Sequence, residues 1–311
     1  MKNSSSKQLE TQSQPFMDVL VDYAFKRIFA SNHNKRYLIA MLNAFLAKYI
    51  GEIIDVELLS TEQLGILPDD KRVSYDIYAK EGAGRRFLIE MQRSRQTFYS
   101  RRAIAYVSRA VSNELQKGDR EYHFPNVISL NFLEKHDKKI MGKANLLQRV
   151  MLKNEENEIF SEKVMFIFVD LSIFADGKRG MDLSDLCQKW AYYIRNIGHM
   201  EEVDVRGETG IFLEFINECR MSNLNEAEMR EYKKSVMDYA DVRDACVAAK
   251  EDGLAEGKEE GRMEGRMEGL AEGKKLIVDR MLAQKLTIDA ICNLTGLTED
   301  EIKGFMAENN V

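Results

Sequence analysis

VSYDIYAKEGAGRRFLIEMQ, residues 73–92, carries two alternating runs separated by a glycine-rich turn. Val73, Tyr75, Ile77 and Ala79 alternate with Ser74, Asp76 and Tyr78, the period of two that sends successive side chains to opposite faces of a strand. Residues 81–84, Glu-Gly-Ala-Gly, have turn character, and Phe87, Ile89 and Met91 then alternate with Leu88, Glu90 and Gln92. This predicts a β-hairpin centred on Ala83, in which residues equidistant from Ala83 lie opposite one another. Asp76 then faces Glu90, with Gln92 on the same face.

Upstream, Leu20, Val21, Phe25, Ile28 and Phe29 fall at helical spacing and predict an amphipathic helix over 17–30, with Asp18, Asp22 and Lys26 four apart on another face. Leu38, Met41, Leu42, Phe45 and Leu46 predict a second helix over 34–49, followed by Gly51 where a helix would stop. Residues 53–59 read as a strand. Downstream, a helix from about 98 to 117 stopped by Gly118 and a strand over 126–132 complete the order helix, strand, strand, strand, helix, strand. This is an α/β core whose last connection has the length of a helical crossover.

A second hairpin is expected from 146–153 and 163–171 around the polar turn at 154–157. Beyond residue 181 the pattern is helical, over 183–197, 211–219 and a long charged run from 226 to about 284. Within that run glycine stands at 253, 257, 261, 265, 269 and 273. Each costs a helix about 1 kcal/mol relative to alanine, so the reading is a solvated, self-associating linker helix. Residues 287–309 suggest two short helices around Thr295-Gly296-Leu297, with a Thr298/Glu301 capping box and a Leu297/Ile302 staple. The likeness to a DNA-reading helix-turn-helix fails on charge. Glu299, Asp300 and Glu301 would stand where phosphate has to approach, which favours a packing or oligomerisation motif.

The 311 residues are 44% apolar and 31% charged, with no apolar run near the roughly 18 residues of a membrane span. A soluble, cytoplasmic protein without a membrane role is expected, residues 1–15 being a polar, disordered leader. Cys187, Cys219, Cys246 and Cys292 lie 27 or more residues apart and the four histidines never fall at ligand spacing, so any metal is expected to be held by oxygen. The net charge of -6 hides an asymmetry. Residues 16–125 carry 17 Lys and Arg against 14 Asp and Glu, whereas residues 126–311 carry 26 against 36. Residues 85–109 hold seven arginines and one acid, Glu90, which is either a solvated face or a footprint for a polyanion.

Directly opposed carboxylates destabilise a sheet at β-carbon separations of about 5 Å, and this leaves two readings of Asp76 and Glu90. Either a hard divalent cation such as Mg²⁺ compensates them, or the face is solvated or shifted by a bulge.

Asp22-Tyr-Ala-Phe-Lys26-Arg-Ile-Phe29, Leu42-Asn43-Ala44, Asp76-Ile77, Ile89-Glu90-Met91-Gln92, Arg102 with Tyr106, and Phe124-Pro125-Asn126-Val127-Ile128 together resemble the PD-(D/E)XK nucleases. They are most similar to the Rpn family of recombination-promoting nucleases and transposases. The resemblance covers about 17–135 firmly and the rest loosely. It implies a restriction-endonuclease-like αβββαβ core with a mainly helical C-terminal extension, and Mg²⁺- or Mn²⁺-dependent hydrolysis of DNA phosphodiesters. Asp76 and Glu90 would be the metal ligands and, with Gln92, the catalytic set. Gln92 stands where the wider superfamily has lysine, but the glutamine belongs to the closer family's pattern. Asp22 is an accessory acid in this reading, or simply an ion-pair partner of Lys26. Arg102 and Tyr106 would contact phosphate or support Glu90, and Tyr106 is equally placed for the core. Arg93, Arg95 and Arg101 are the candidates for DNA-backbone binding.

The domain reading is a leader over 1–15, a nuclease-like domain over 16–175, a helical extension over 176–249, a Gly-xxx charged helix over 250–284 and a small helical motif over 285–311. A homo-oligomer formed through the C-terminal helices is expected. The competing reading is a catalytically weak assembly protein that self-associates through those same helices.

Overall fold

The computed structural model describes residues 15–63, 73–115, 118–143, 146–175, 182, 184–203, 208 and 210–308. Except for Pro15, the expected leader lies outside the described residues. The chain divides into two units, residues 1–240 and 241–311.

In the first unit, helices α1 (Asp22–Phe29) and α2 (Lys35–Ile50) precede strands β1 (Val56–Leu58), β2 (Glu62–Gln63), β3 (Val73–Ser74), β4 (Ile77–Glu81) and β5 (Arg86–Gln92). Helix α3 (Tyr99–Glu114) leads to β6 (Val127–Leu133). The short α4 (Lys138–Met141), strands β7 (Leu147–Lys153) and β8 (Ile159–Asp170), and helices α5 (Leu186–Asn196), α6 (Gly210–Glu218) and the start of α7 (Glu226–Ala283) follow. Six strands form one sheet in the order β1-β4-β5-β6-β8-β7, and β2 pairs with β3 apart from it. β5, β6 and β8 run parallel; the outer pairs are antiparallel. The expected α/β order is therefore present, with β1, β4 and β5 as the three strands before the α3 crossover.

Alternation explains why both faces of the sheet are covered. Phe87 and Ile89 of β5 and Ile128, Leu130 and Phe132 of β6 enter the main core, beside Phe25, Phe29, Leu42 and Phe45 from α1 and α2 and Trp190 from α5. On the opposite face Leu88 and Val127 pack with Val107 and Ala110 of α3. Trp190 lies 4.9 Å from Phe215 and 4.8 Å from Phe212, centroid to centroid, so α5 and α6 share the core of the sheet.

The hairpin register is the one the alternation predicts, with Ile77 opposite Ile89 and Ala79 opposite Phe87. One feature corrects that pattern. Val73 and Tyr75 join Tyr78 against α3 and not Ile77 in the main core, so the alternation breaks at Asp76, just outside β4. The break arises because a side chain takes over the ladder. The Met91 N–H donates to Asp76 Oδ2 at 2.7 Å, and the Asp76 N–H donates to Glu90 Oε1 at 3.3 Å. Asn43 performs a related substitution, exchanging both amide hydrogen bonds with the backbone of Ile53 at 2.7 and 2.8 Å.

The first helix begins at Asp22, not near 17, because residues 16–18 are held in extended contact elsewhere. Phe16 bridges to Arg220, the Met17 N–H donates to the Cys219 carbonyl at 2.8 Å, and the Asp18 N–H donates to Tyr232 Oη at 2.9 Å. A β-carbon on Gly198 would stand 2.3 Å from Asp18 Cα and 2.8 Å from its nitrogen. Backbone cannot yield as a flexible side-chain end does, so Gly198→Ala should cost about 1–3 kcal/mol, read as a lower urea midpoint with an unchanged slope. An unchanged midpoint would mean that this contact is not tight.

The second unit holds the remainder of α7 together with α8 (Ile288–Thr295) and α9 (Glu299–Glu308). The predicted long helix is one continuous element, and every residue from 241 to 273 is exposed. Its six glycines have no neighbour within 4 Å of an added β-carbon. Val278, Ile291, Leu297 and Ile302 form a small core. The capping box is present: the Thr298 N–H donates to Glu301 Oε2 at 2.8 Å and the Glu301 N–H to Thr298 Oγ1 at 3.3 Å.

Candidate active site

The break at Asp76 assembles the site. An ordinary ladder would spend the Asp76 and Met91 backbone groups on each other's strand; here they bind carboxylates, which draws Asp76 and Glu90 together. Glu90 is buried at 2% exposure and Gln92 at 8%, both on the α3 side of β5. Burial pushes both acids above the ordinary carboxylate range, because a desolvated carboxylate is disfavoured. Glu90 is raised from 4.5 to about 8 by burial and by the charge of Asp76, which outweigh the opposing pull of Arg102, the Asp76 N–H and Lys26.

Arg102, on α3, reaches Glu90 Oε2 at 3.5 Å and donates through Nη1 to Gln96 at 3.2 Å, with its guanidinium 4.8 Å over the Tyr106 ring. Its Nε is buried and has no acceptor among the described residues, so the guanidinium is not saturated by protein. Tyr106 also meets Tyr75 edge to face at 5.5 Å, and therefore serves the α3-side core as well as Arg102. Lys26 and Asp22 form an ion pair at 2.8 Å on α1, and the charges of both act on Asp76, Lys26 favouring and Asp22 opposing ionisation. Lys26 also favours ionisation of Glu90. The ion pair read from the sequence thus exists, and its charges are felt at the acids.

Below Glu90 lies a polar floor that the sequence reading missed. Tyr99 Oη donates to Asn131 Oδ1 at 2.7 Å, and Asn131 Nδ2 donates to the carbonyls of Ser129 at 3.1 Å and Ile167 at 3.2 Å. Asn131 pairs directly with Glu90 across β5 and β6 and is 0% exposed. Its signal was available: an amide within the fully buried strand VISLNFL needs partners, which Tyr99 and the strand carbonyls supply.

The arginine cluster divides. Arg85 pairs with Glu81 and with the Ile50 carbonyl, and Arg86 makes a bidentate pair with Glu114 at 2.7 Å. Arg93 is bound to Asp18 at 2.9 Å and Glu134 at 3.2 Å and lies 3.8 Å over the Tyr239 ring. Its guanidinium is committed to internal carboxylates. Arg95 and Arg101 are exposed, Arg95 lying 3.9 Å from Asp137 and Arg101 stacking on Phe98 at 5.0 Å.

These donors suit a hard divalent cation. Two carboxylates raised by desolvation, Glu90 also by the charge of Asp76, with no soft or imidazole ligand between them, match an ion that takes oxygen ligands and completes its shell with water and substrate. Among the described residues no group of three or more His, Cys, Asp or Glu side chains is placed to hold a metal, so these two acids would be its protein anchors.

A family model described as PD-(D/E)XK nuclease family transposase matches residues 19–249. No curated protein and no solved structure matches the chain.

Proposed function

Because this chain belongs to the PD-(D/E)XK nuclease family transposases, its activity being of nuclease type, we propose that it is a Mg²⁺- or Mn²⁺-dependent DNA endonuclease with Asp76 and Glu90 as metal ligands. The observation that carries the reading is the break at Asp76, which brings the half-buried Asp76 carboxylate beside the buried Glu90, whose carboxyl it pushes up. The αβββαβ core is restriction-endonuclease-like. A divalent ion held by the two acids would polarise the scissile phosphate and lower the pKa of a water poised for attack. Arg102, anchored by Tyr106 and 35% exposed, would donate to a phosphate oxygen through its terminal nitrogens. Gln92 orients water or phosphate by hydrogen bonding and contributes no charge.

Lys26 supplies the cation that Gln92 lacks. With its charge acting on both carboxylates, Lys26→Met is expected to lower the cleavage rate about tenfold to a hundredfold while the Mn²⁺ affinity falls far less. Equal losses in metal affinity and rate would make Lys26 a support for the ligands only.

Cleavage of supercoiled plasmid by the intact chain in Mg²⁺ or Mn²⁺, against the same reaction in EDTA, tests the proposal. Metal-dependent nicked or linear product supports it. A folded protein that binds the ion and leaves every DNA form intact overturns it.

We also propose self-association through α7 in a cytoplasmic setting. No described helix is long and apolar enough to cross a membrane. A helix exposed on every side over 241–273 and carrying six glycines gains little from its own residues, and a second copy would supply the missing packing.

A further inference from the structure

Between buried Gln92 and buried Tyr99 the chain crosses the surface, with every residue from 94 to 98 exposed. This segment ends in Phe98, whose ring is 61% exposed. An aromatic ring left in water forfeits the gain that burial would bring, and Phe98 is set apart from other exposed apolar residues by its surroundings. The Arg101 guanidinium lies 5.0 Å over the ring, and Arg95 is 58% exposed. The Arg102 N–H donates to the Phe98 carbonyl at 3.1 Å, and the Arg102 side chain reaches Glu90 at 3.5 Å, so the ring sits one helical turn from the arginine that touches the acid pair. From residue 91 to residue 113 the sequence contains five arginines and no Asp or Glu.

We propose that Phe98, with Arg101 over its ring, is a stacking platform for an unpaired base of DNA engaged at the Asp76–Glu90 site. The inference rests on the nuclease reading and adds a substrate class to it: DNA that is single-stranded or flapped beside the cut. Every base has a π-face, but in a duplex both faces are covered by neighbouring bases, so an exposed ring engages only bases that have left the stack. Arg101 lies over the Phe98 ring, whose remaining exposed surface would take the base, while Arg95, 58% exposed and only 3.9 Å from Asp137, would turn toward the adjoining phosphates. A nucleic acid presents a flat ring and an anionic phosphate at every residue, which is why the platform is assigned to a nucleobase.

The test is binding by the full chain in EDTA, where cleavage is suppressed, to three labelled DNAs of one sequence: a single strand, a blunt duplex and a duplex with a flap. Phe98→Ala should bind the single strand and the flap about 5- to 100-fold more weakly and the blunt duplex within about twofold of the parent, and Phe98→Tyr should restore the parent values. Because the ring is exposed, the thermal midpoint should not move. A second readout uses Phe98→Trp, since Trp190, the one native tryptophan, is 1% exposed. A new exposed indole quenched by oligo(dT) but not by blunt duplex supports stacking. Equal losses on all three DNAs, no loss on any, or an indole indifferent to oligo(dT) overturns the platform. If the parent cleaves plasmid in these cases, the nuclease reading stands without it; if the parent neither binds nor cleaves any DNA, both fall together.

Discussion

Replacing Asp76 by asparagine or Glu90 by glutamine should lower Mg²⁺-dependent plasmid nicking by about a thousandfold or more while the folded protein becomes more stable in EDTA. Both changes preserve shape. A side-chain carbonyl at position 76 can still accept the Met91 N–H, and one at position 90 can still accept the Asp76 N–H. What each change removes is one of two neighbouring carboxyls that folding holds above their ordinary pKa, the charge of Asp76 being one cause of the rise at Glu90. A divalent ion anchored by two carboxylates loses half of its protein charge, and several kcal/mol of transition-state stabilisation amounts to three or more powers of ten in rate. The metal-free protein, by contrast, no longer has to desolvate an ionisable carboxyl whose pKa folding raises. Plasmid cleavage and thermal melting on the same samples separate this outcome from misfolding, which would lower both. Cleavage that survives both substitutions would move the catalytic centre elsewhere.

The Mn²⁺ affinity of the intact chain should rise about tenfold per pH unit from pH 6 and level off near 8, as followed by calorimetry. The Glu90 carboxyl is raised from 4.5 to about 8, so a bound ion has to displace a proton below that value. The same displacement determines stability without metal. Between about 4.5 and 8 the folded chain holds a proton that the unfolded chain has released, and so folding stability in EDTA falls as pH rises through this interval. Glu90→Gln should flatten that fall and abolish the affinity slope. An affinity that does not change from pH 6 to 8 would mean that Glu90 is not a ligand, or that it is already ionised in the folded chain.

Much of the architecture is legible because it is written in short periods. The hairpin register about Ala83, α2 ending at Gly51, the β7–β8 hairpin and the Thr298/Glu301 capping box all depend on residues within a few positions of one another. The opposition of Asp76 to Glu90 belongs to this class, since a tight turn converts equal spacing into cross-strand adjacency. The exception inside that stretch is Tyr75. Its side of the sheet is decided by a carboxylate replacing a ladder hydrogen bond, and no alternation pattern encodes such a replacement.

The order of elements, the facing of the two acids and the family pattern they belong to are all written in residue spacing. Which charges are occupied and which are available was decided by the tertiary structure alone. Arg86, Arg93 and Arg101 lie in one basic run and look equivalent, yet Arg86 meets Glu114 from α3, Arg93 meets Asp18 from the segment before α1 and Glu134 after β6, and Arg101 remains exposed. The influence of the Lys26 charge on the acids and the approach of Gly198 to Asp18 are of the same kind. Periodicity specifies the face a side chain occupies, but a charge finds its partner through whichever element packs against that face, and that partner is commonly many tens of residues away in the chain.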